Sequence, residues 1–100
     1  MNFDQLPLHD APLYSIAYTW QEHSLRIELA AFINNQQRAI PYILQFNGVK
    51  GFELSHEEPW GPSDFINEVE CNNGEYKIKM QSGDILLIKA DSYDFNPVQQ

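Results

Sequence analysis

FINEVECNNGEYKIKMQSGDILLIKA, running from Phe65 to Ala90, holds two tight-turn signals set among alternating apolar and polar residues. Asn73-Gly74 is the preferred pair for a two-residue hairpin turn, because both central positions need positive φ. A turn there sets Cys71 opposite Tyr76, Val69 opposite Ile78 and Asn67 opposite Met80, with Lys77 and Lys79 outward. Ser82-Gly83 supplies a second turn that sets Met80 against Ile85 and Ile78 against Leu87. The result is a three-stranded antiparallel meander. Leu86 and Ile88 fall on its opposite face, so the last strand is expected to be covered on both sides.

Upstream, the same period of two continues. Tyr14, Ile16, Tyr18 and Trp20 share one side of a strand, with Ser15, Ala17 and Thr19 on the other. Leu25, Ile27, Leu29, Ala31 and Ile33 alternate with Arg26, Glu28, Ala30 and Phe32, and a loop over Gln21-Glu22-His23-Ser24 would put Tyr18 against Ile27 and Ile16 against Leu29. Asn34 to Gln37 reads as a loop, and Pro41 puts the stretch Ile40 to Phe46 at a sheet edge or at a strand start. Asn47-Gly48 fits either a hairpin turn or a bulge with a change of direction, after which Val49, Phe52 and Leu54 return to the core. Residues 1–12 read as an irregular arm or a single short turn, and 92–100, with Pro97, as a fraying tail. These elements predict a single all-β domain over 1–100: an antiparallel sandwich or partly closed barrel of six to seven short strands, with at most one short helix. A curved antiparallel sheet with one short helix on its open face is the alternative.

Composition narrows the class. Apolar residues make up 43% of the 100 and aromatics 13%, enough for a packed core and too many for disorder. Six basic against fourteen acidic residues give a net charge of −8, which repels nucleic-acid phosphates and anionic lipid, so neither nucleic acid nor membrane is expected as a partner. A basic protein surface fits better, and plain solubility explains the same charge. The lone Cys71 cannot form an internal disulfide and reads as a reduced, packed thiol; with no signal-like segment, a cytoplasmic location is expected.

Residues 52–75 carry seven of the fourteen acidic residues and no Lys or Arg, around Glu57-Glu58-Pro59-Trp60-Gly61-Pro62-Ser63. A Trp between two prolines is a ready anchor for a partner, since its area is presented at little ordering cost. It could equally fold back as a lid over the sheet, with Gly61 permitting close approach and Ser63 ending the loop through its hydroxyl; the usual burial of Trp favours this second reading. Asn67 falls among inward positions by the register above. A buried amide must be hydrogen-bonded, so Asn67 is expected to brace the preceding loop, with direct ligand contact as the alternative.

The carboxylates of Glu57, Glu58, Asp64, Glu68 and Glu70 read as a negative surface patch, because neither a catalytic pair across a cleft nor a calcium loop is encoded. His9-Asp10 and His56-Glu57-Glu58 place imidazoles beside carboxylates. His9, Asp10 and His56 are weak metal candidates without zinc spacing, and no metal or other cofactor is expected. His23, in a polar loop, reads as surface. No nucleophile elbow or phosphate loop occurs.

Leu8-His9-Asp10-Ala11, Glu58-Pro59-Trp60-Gly61-Pro62-Ser63 with Ile66-Asn67-Glu68-Val69, and Met80-Gln81-Ser82-Gly83-Asp84 resemble a pattern found in a family of small uncharacterised bacterial β-proteins. The resemblance spans most of the chain and is most specific at Pro-Trp-Gly-Pro-Ser. In size and acidity such proteins are similar to the immunity proteins that neutralise bacterial toxins. The leading expectation is a non-catalytic acidic binding module that contacts a basic partner through Glu57, Glu58, Trp60, Asp64 and Asn67. The competing expectation is an enzyme, or a metal- or small-ligand-dependent protein, using His9, Asp10, His56 and Glu58.

Overall fold

The computed structural model describes residues 2–32 and 38–98, so the expected loop at Asn34 to Gln37 and the inward place of Ile33 lie outside the described residues. Among the described residues eight strands, against the six to seven expected, follow a 3-10 turn at Phe3–Gln5: β1 Leu13–Thr19, β2 Ser24–Ala31, β3 Ile40–Asn47, β4 Gly51–Leu54, β5 Ile66–Asn72, β6 Glu75–Met80, β7 Ile85–Lys89 and β8 Ser92–Pro97. They form two antiparallel sheets, β1-β2-β3-β8 and β4-β7-β6-β5, packed face to face as an all-β sandwich. Among the described residues no helix is long and apolar enough to cross a membrane.

The first hairpin pairs Tyr18 with Leu25 and Ile16 with Ile27, two residues away from the expected register. A slip of two leaves every side chain on its own face, so Ile16, Tyr18, Leu25 and Ile27 still point to the core. Its turn is Trp20 to His23 rather than Gln21 to Ser24, which moves Trp20 off the strand into solvent. A bulge between Leu13 and Ser15 then turns Tyr14 outward, against the alternation read from sequence.

At Asn73-Gly74 the expected turn forms, with positive φ at both residues and Cys71 opposite Tyr76. The next turn differs. Lys79 pairs with Ile85 and Ile78 with Leu86, because the loop is three residues, Gln81 to Gly83, with Gly83 at φ 92°. This slip of one exchanges the faces of β7. Leu86 and Ile88 are core residues and Ile85 is exposed, the reverse of the inward Ile85 and Leu87 expected.

Gly48 adopts φ 63° and redirects the chain from β3 in one sheet to β4 in the other, so the change of direction holds and the hairpin does not. Pro41 stands at the start of β3, where a missing amide is tolerated. The expected fraying tail is instead an edge strand: β8 pairs along β3 and contributes Phe95, which stacks on Tyr42 at 4.4 Å. Pro97 ends it. Cys71 is exposed rather than packed, since it lies near the end of edge strand β5.

The arm before β1 is not loose either. Phe3, Leu6, Leu8 and Ala11 are buried, and the Phe3 ring meets Tyr76 at 4.9 Å, Tyr93 at 5.2 Å and Phe46 at 5.8 Å. These partners belong to both sheets, so the arm closes one flank of the sandwich. On the other flank β1 and β4 face each other, and Tyr18 and Phe52, with rings 5.1 Å apart, bridge the mouth.

Candidate functional site: a pinned tryptophan loop beside an open flank

Because β4 and β5 are the two edges of one sheet, the chain between them must cross the end of β6 and β7. Residues 55–65 make that crossing, and the turn they cross is Gln81 to Gly83. Asp84, 3% exposed, is the peg that holds them. Its Oδ1 accepts from Ser55 Oγ at 3.1 Å and Glu57 N–H at 2.7 Å; its Oδ2 accepts from Glu58 N–H at 3.0 Å and Ser82 Oγ at 2.7 Å. Burial acts to raise the carboxyl pKa, and the four donors, led by Ser82, together outweigh it and hold the group below the usual carboxylate value.

Past the peg, Glu58-Pro59-Trp60-Gly61 is a β-turn closed by Gly61 N–H to Glu58 O at 3.0 Å, with proline at its favoured second position. Trp60 N–H donates to Ser82 O at 2.9 Å. The indole rests against Gly83, where an added Cβ would come within 2.8 Å of the ring, yet the residue is 75% exposed. The ring is therefore not a buried lid. Gly61 serves the turn through its φ of 106° and not through close approach, whereas Ser63 does end the loop, accepting from Phe65 N–H at 3.2 Å.

The expected carboxylate patch divides. Glu57 and Asp64 are exposed and Glu58 half-buried around the loop. Glu68 and Glu70 project instead from the outer face of β5, where Lys79 lies 3.1 and 3.4 Å from them and Lys77 lies 3.5 Å from Glu70. Hydrogen bonding to Glu68 is the main reason that the Lys79 pKa is raised.

Asn67 does not face inward. A bulge between Ile66 and Glu68 gives the buried position to Ile66, opposite Met80, and turns Asn67 to solvent. Only its backbone joins a network: His9 Nδ1 donates to Asn67 O at 2.7 Å. His9 Nε2 lies 3.5 Å from Asp10, which also accepts from Gln81, while His56 lies 3.9 Å from Glu58. The four side chains of the enzyme-type expectation thus form two separate pairs, His9 and Asp10 lining one cavity and His56 another, and among the described residues no three metal-ligating side chains gather.

Between β1 and the crossing loop lies a cavity of about 310 Å³ with apolar walls from Leu13, Ile16, Leu54 and Leu86 and a polar rim that includes His56 and Asp64. Neither this cavity nor the Asp84 peg was singled out from sequence. A local signal existed for the peg, since a Ser-Gly-Asp turn shared the recognised pattern with the Pro-Trp-Gly-Pro-Ser loop it holds.

No protein-family model and no curated protein matches the chain. Among solved structures, the crystal structure of an uncharacterized protein from Neisseria gonorrhoeae is similar in fold, with a TM-score of 0.56 at 19% identity over 90% of this chain and 93% of that one.

Proposed function

We propose that the chain is a non-catalytic binding module of the bacterial cytoplasm that engages a basic protein partner through Trp60 and the carboxylates of Glu57, Glu58 and Asp64. Immunity-type inhibition of a basic toxin or nuclease is its most concrete form. The supporting observation is an indole three-quarters exposed on a backbone already fixed by Asp84 and Ser82. Ordering is largely complete before binding, so contact area at Trp60 converts more fully into affinity. The surrounding carboxylates would steer a cationic partner and mimic phosphate charge. Asn67 leaves the expected contact set, since it stands apart at its bulge, and Glu68 and Glu70 do not join it, since both are already paired to lysines.

Partners captured on the immobilised protein and identified by mass spectrometry provide the test. The recovered basic partner should bind the combined Glu57→Gln, Glu58→Gln, Trp60→Ala variant about 100-fold more weakly than the parent chain, as loss of a central aromatic anchor with its charges implies. Unchanged affinity would sink the proposal.

A further inference from the structure

Four strands of the sandwich lie at sheet edges: β1, β8, β4 and β5. Edge strands expose unpaired backbone groups, and proteins blunt them with charges, prolines or bulges. Three of these edges are blunted: β4 by Glu53, β5 by Glu68, Glu70 and a bulge, β8 by Asp94 and Pro97. β1, Leu13-Tyr14-Ser15-Ile16-Ala17-Tyr18-Thr19, has neither charge nor proline, and its bulge is confined to its first residues. The crossing loop takes this edge at Leu13, whose N–H donates to Asp64 O at 2.8 Å, and from Ser15 to Thr19 the edge stays open beside the 310 Å³ cavity that Leu13, Tyr14, Ser15 and Ile16 help to line.

We infer that β1 accepts an extended segment of a partner protein by strand addition, with one apolar side chain of that segment entering the cavity between Ile16 and Leu54 and flanking Lys or Arg residues meeting Asp64. This rests on the basic-partner reading and extends it to the partner's chemistry. Charge identifies the occupant. The cavity lining contains Asp64 and no Lys or Arg, and two copies of a chain of charge −8 repel each other, so a cationic foreign strand is favoured over a second copy. The cavity has room for a branched or aromatic side chain and supplies the alternating pocket that strand addition uses for selectivity.

The probe is a set of acetylated heptapeptides, Lys-Thr-Lys-X-Lys-Thr-Lys, with X as Leu, Phe or Ser, titrated into isotope-labelled protein. The Leu and Phe peptides should bind about tenfold or more tightly than the Ser peptide, moving the amide signals of Ser15 to Thr19. Leu54→Arg, at a position 50% exposed and so tolerant of change, should erase that preference. Equal binding of all three peptides would overturn strand addition while leaving the charge-based reading intact, and no binding of any at millimolar concentration would also overturn it. The Leu-over-Ser preference should persist in the Glu57, Glu58, Trp60 triple variant, since none of the three lines the cavity, and its loss there would overturn the placement of X. Sedimentation of the peptide-free protein as a dimer, abolished by Leu54→Arg, would overturn the choice of a foreign strand in favour of a second copy.

Discussion

Asp84 does for this fold what a covalent staple does elsewhere: its carboxylate joins two segments 26 to 29 residues apart in sequence through three hydrogen bonds, and Ser82 adds a fourth from within the turn. An ionised acceptor makes each bond stronger than its neutral counterpart, and removing the charge loosens all four together. The direction with pH follows from the lowered carboxyl pKa. The stabilisation is complete above the unfolded value near 4 and is lost as pH falls through the lower folded value. Asp84→Asn should therefore lower the melting temperature at pH 7 and flatten the stability profile below about pH 4. Thermal melts of both proteins from pH 2 to 7 make the comparison, and parallel profiles would contradict the role assigned to the carboxylate. Trp60 reports the same event, because its position depends on Ser82 and Gly83 next to the peg.

At the level of strands, the 3-10 turn at Phe3–Gln5 carries more of the core than its length suggests. Phe3 is 2% exposed among three aromatic rings, so Phe3→Ala should cost about 3 to 5 kcal/mol, read from the urea midpoint. A loss under about 1 kcal/mol would mean the flank collapses around the gap. Sequence reading found the turn but not its burial, since nothing local distinguishes a Phe in a docked arm from one in a loose arm. Local chemistry did decide Asn73-Gly74, where two positive φ angles allow little choice of loop. It failed at Ser82-Gly83, where loops of two and three residues are both compatible with one glycine, and the longer loop inverted β7. It failed again at Leu13/Ser15 and Ile66/Glu68, because a bulge is set by how a strand must bend in the packed sandwich and leaves no mark in the alternation. The site was legible as a rigid aromatic loop with nearby acids. The pairing of Glu68 and Glu70 to lysines was not, although it follows directly from the register of β5 with β6.

For the whole molecule, charge is the dominant long-range property. Fourteen acidic residues act together on an approaching basic partner, but Lys77 and Lys79 cancel part of the field on the outer face of β5. The field is therefore expected to favour approach over the Trp60 loop. Association with the captured partner should slow by about tenfold or more between low and physiological salt, while dissociation changes little. Stopped-flow rates at several ionic strengths test this. An association rate indifferent to salt would argue for docking driven by apolar contact alone.

The Phe3 contacts have a consequence for biosynthesis. Phe3 finds its neighbours at positions 46, 76 and 93, so its place in the interior does not exist until the chain has been made through Tyr93. Closure of this flank therefore waits for β8, and until then the nascent domain displays an unsatisfied phenylalanine ahead of β1.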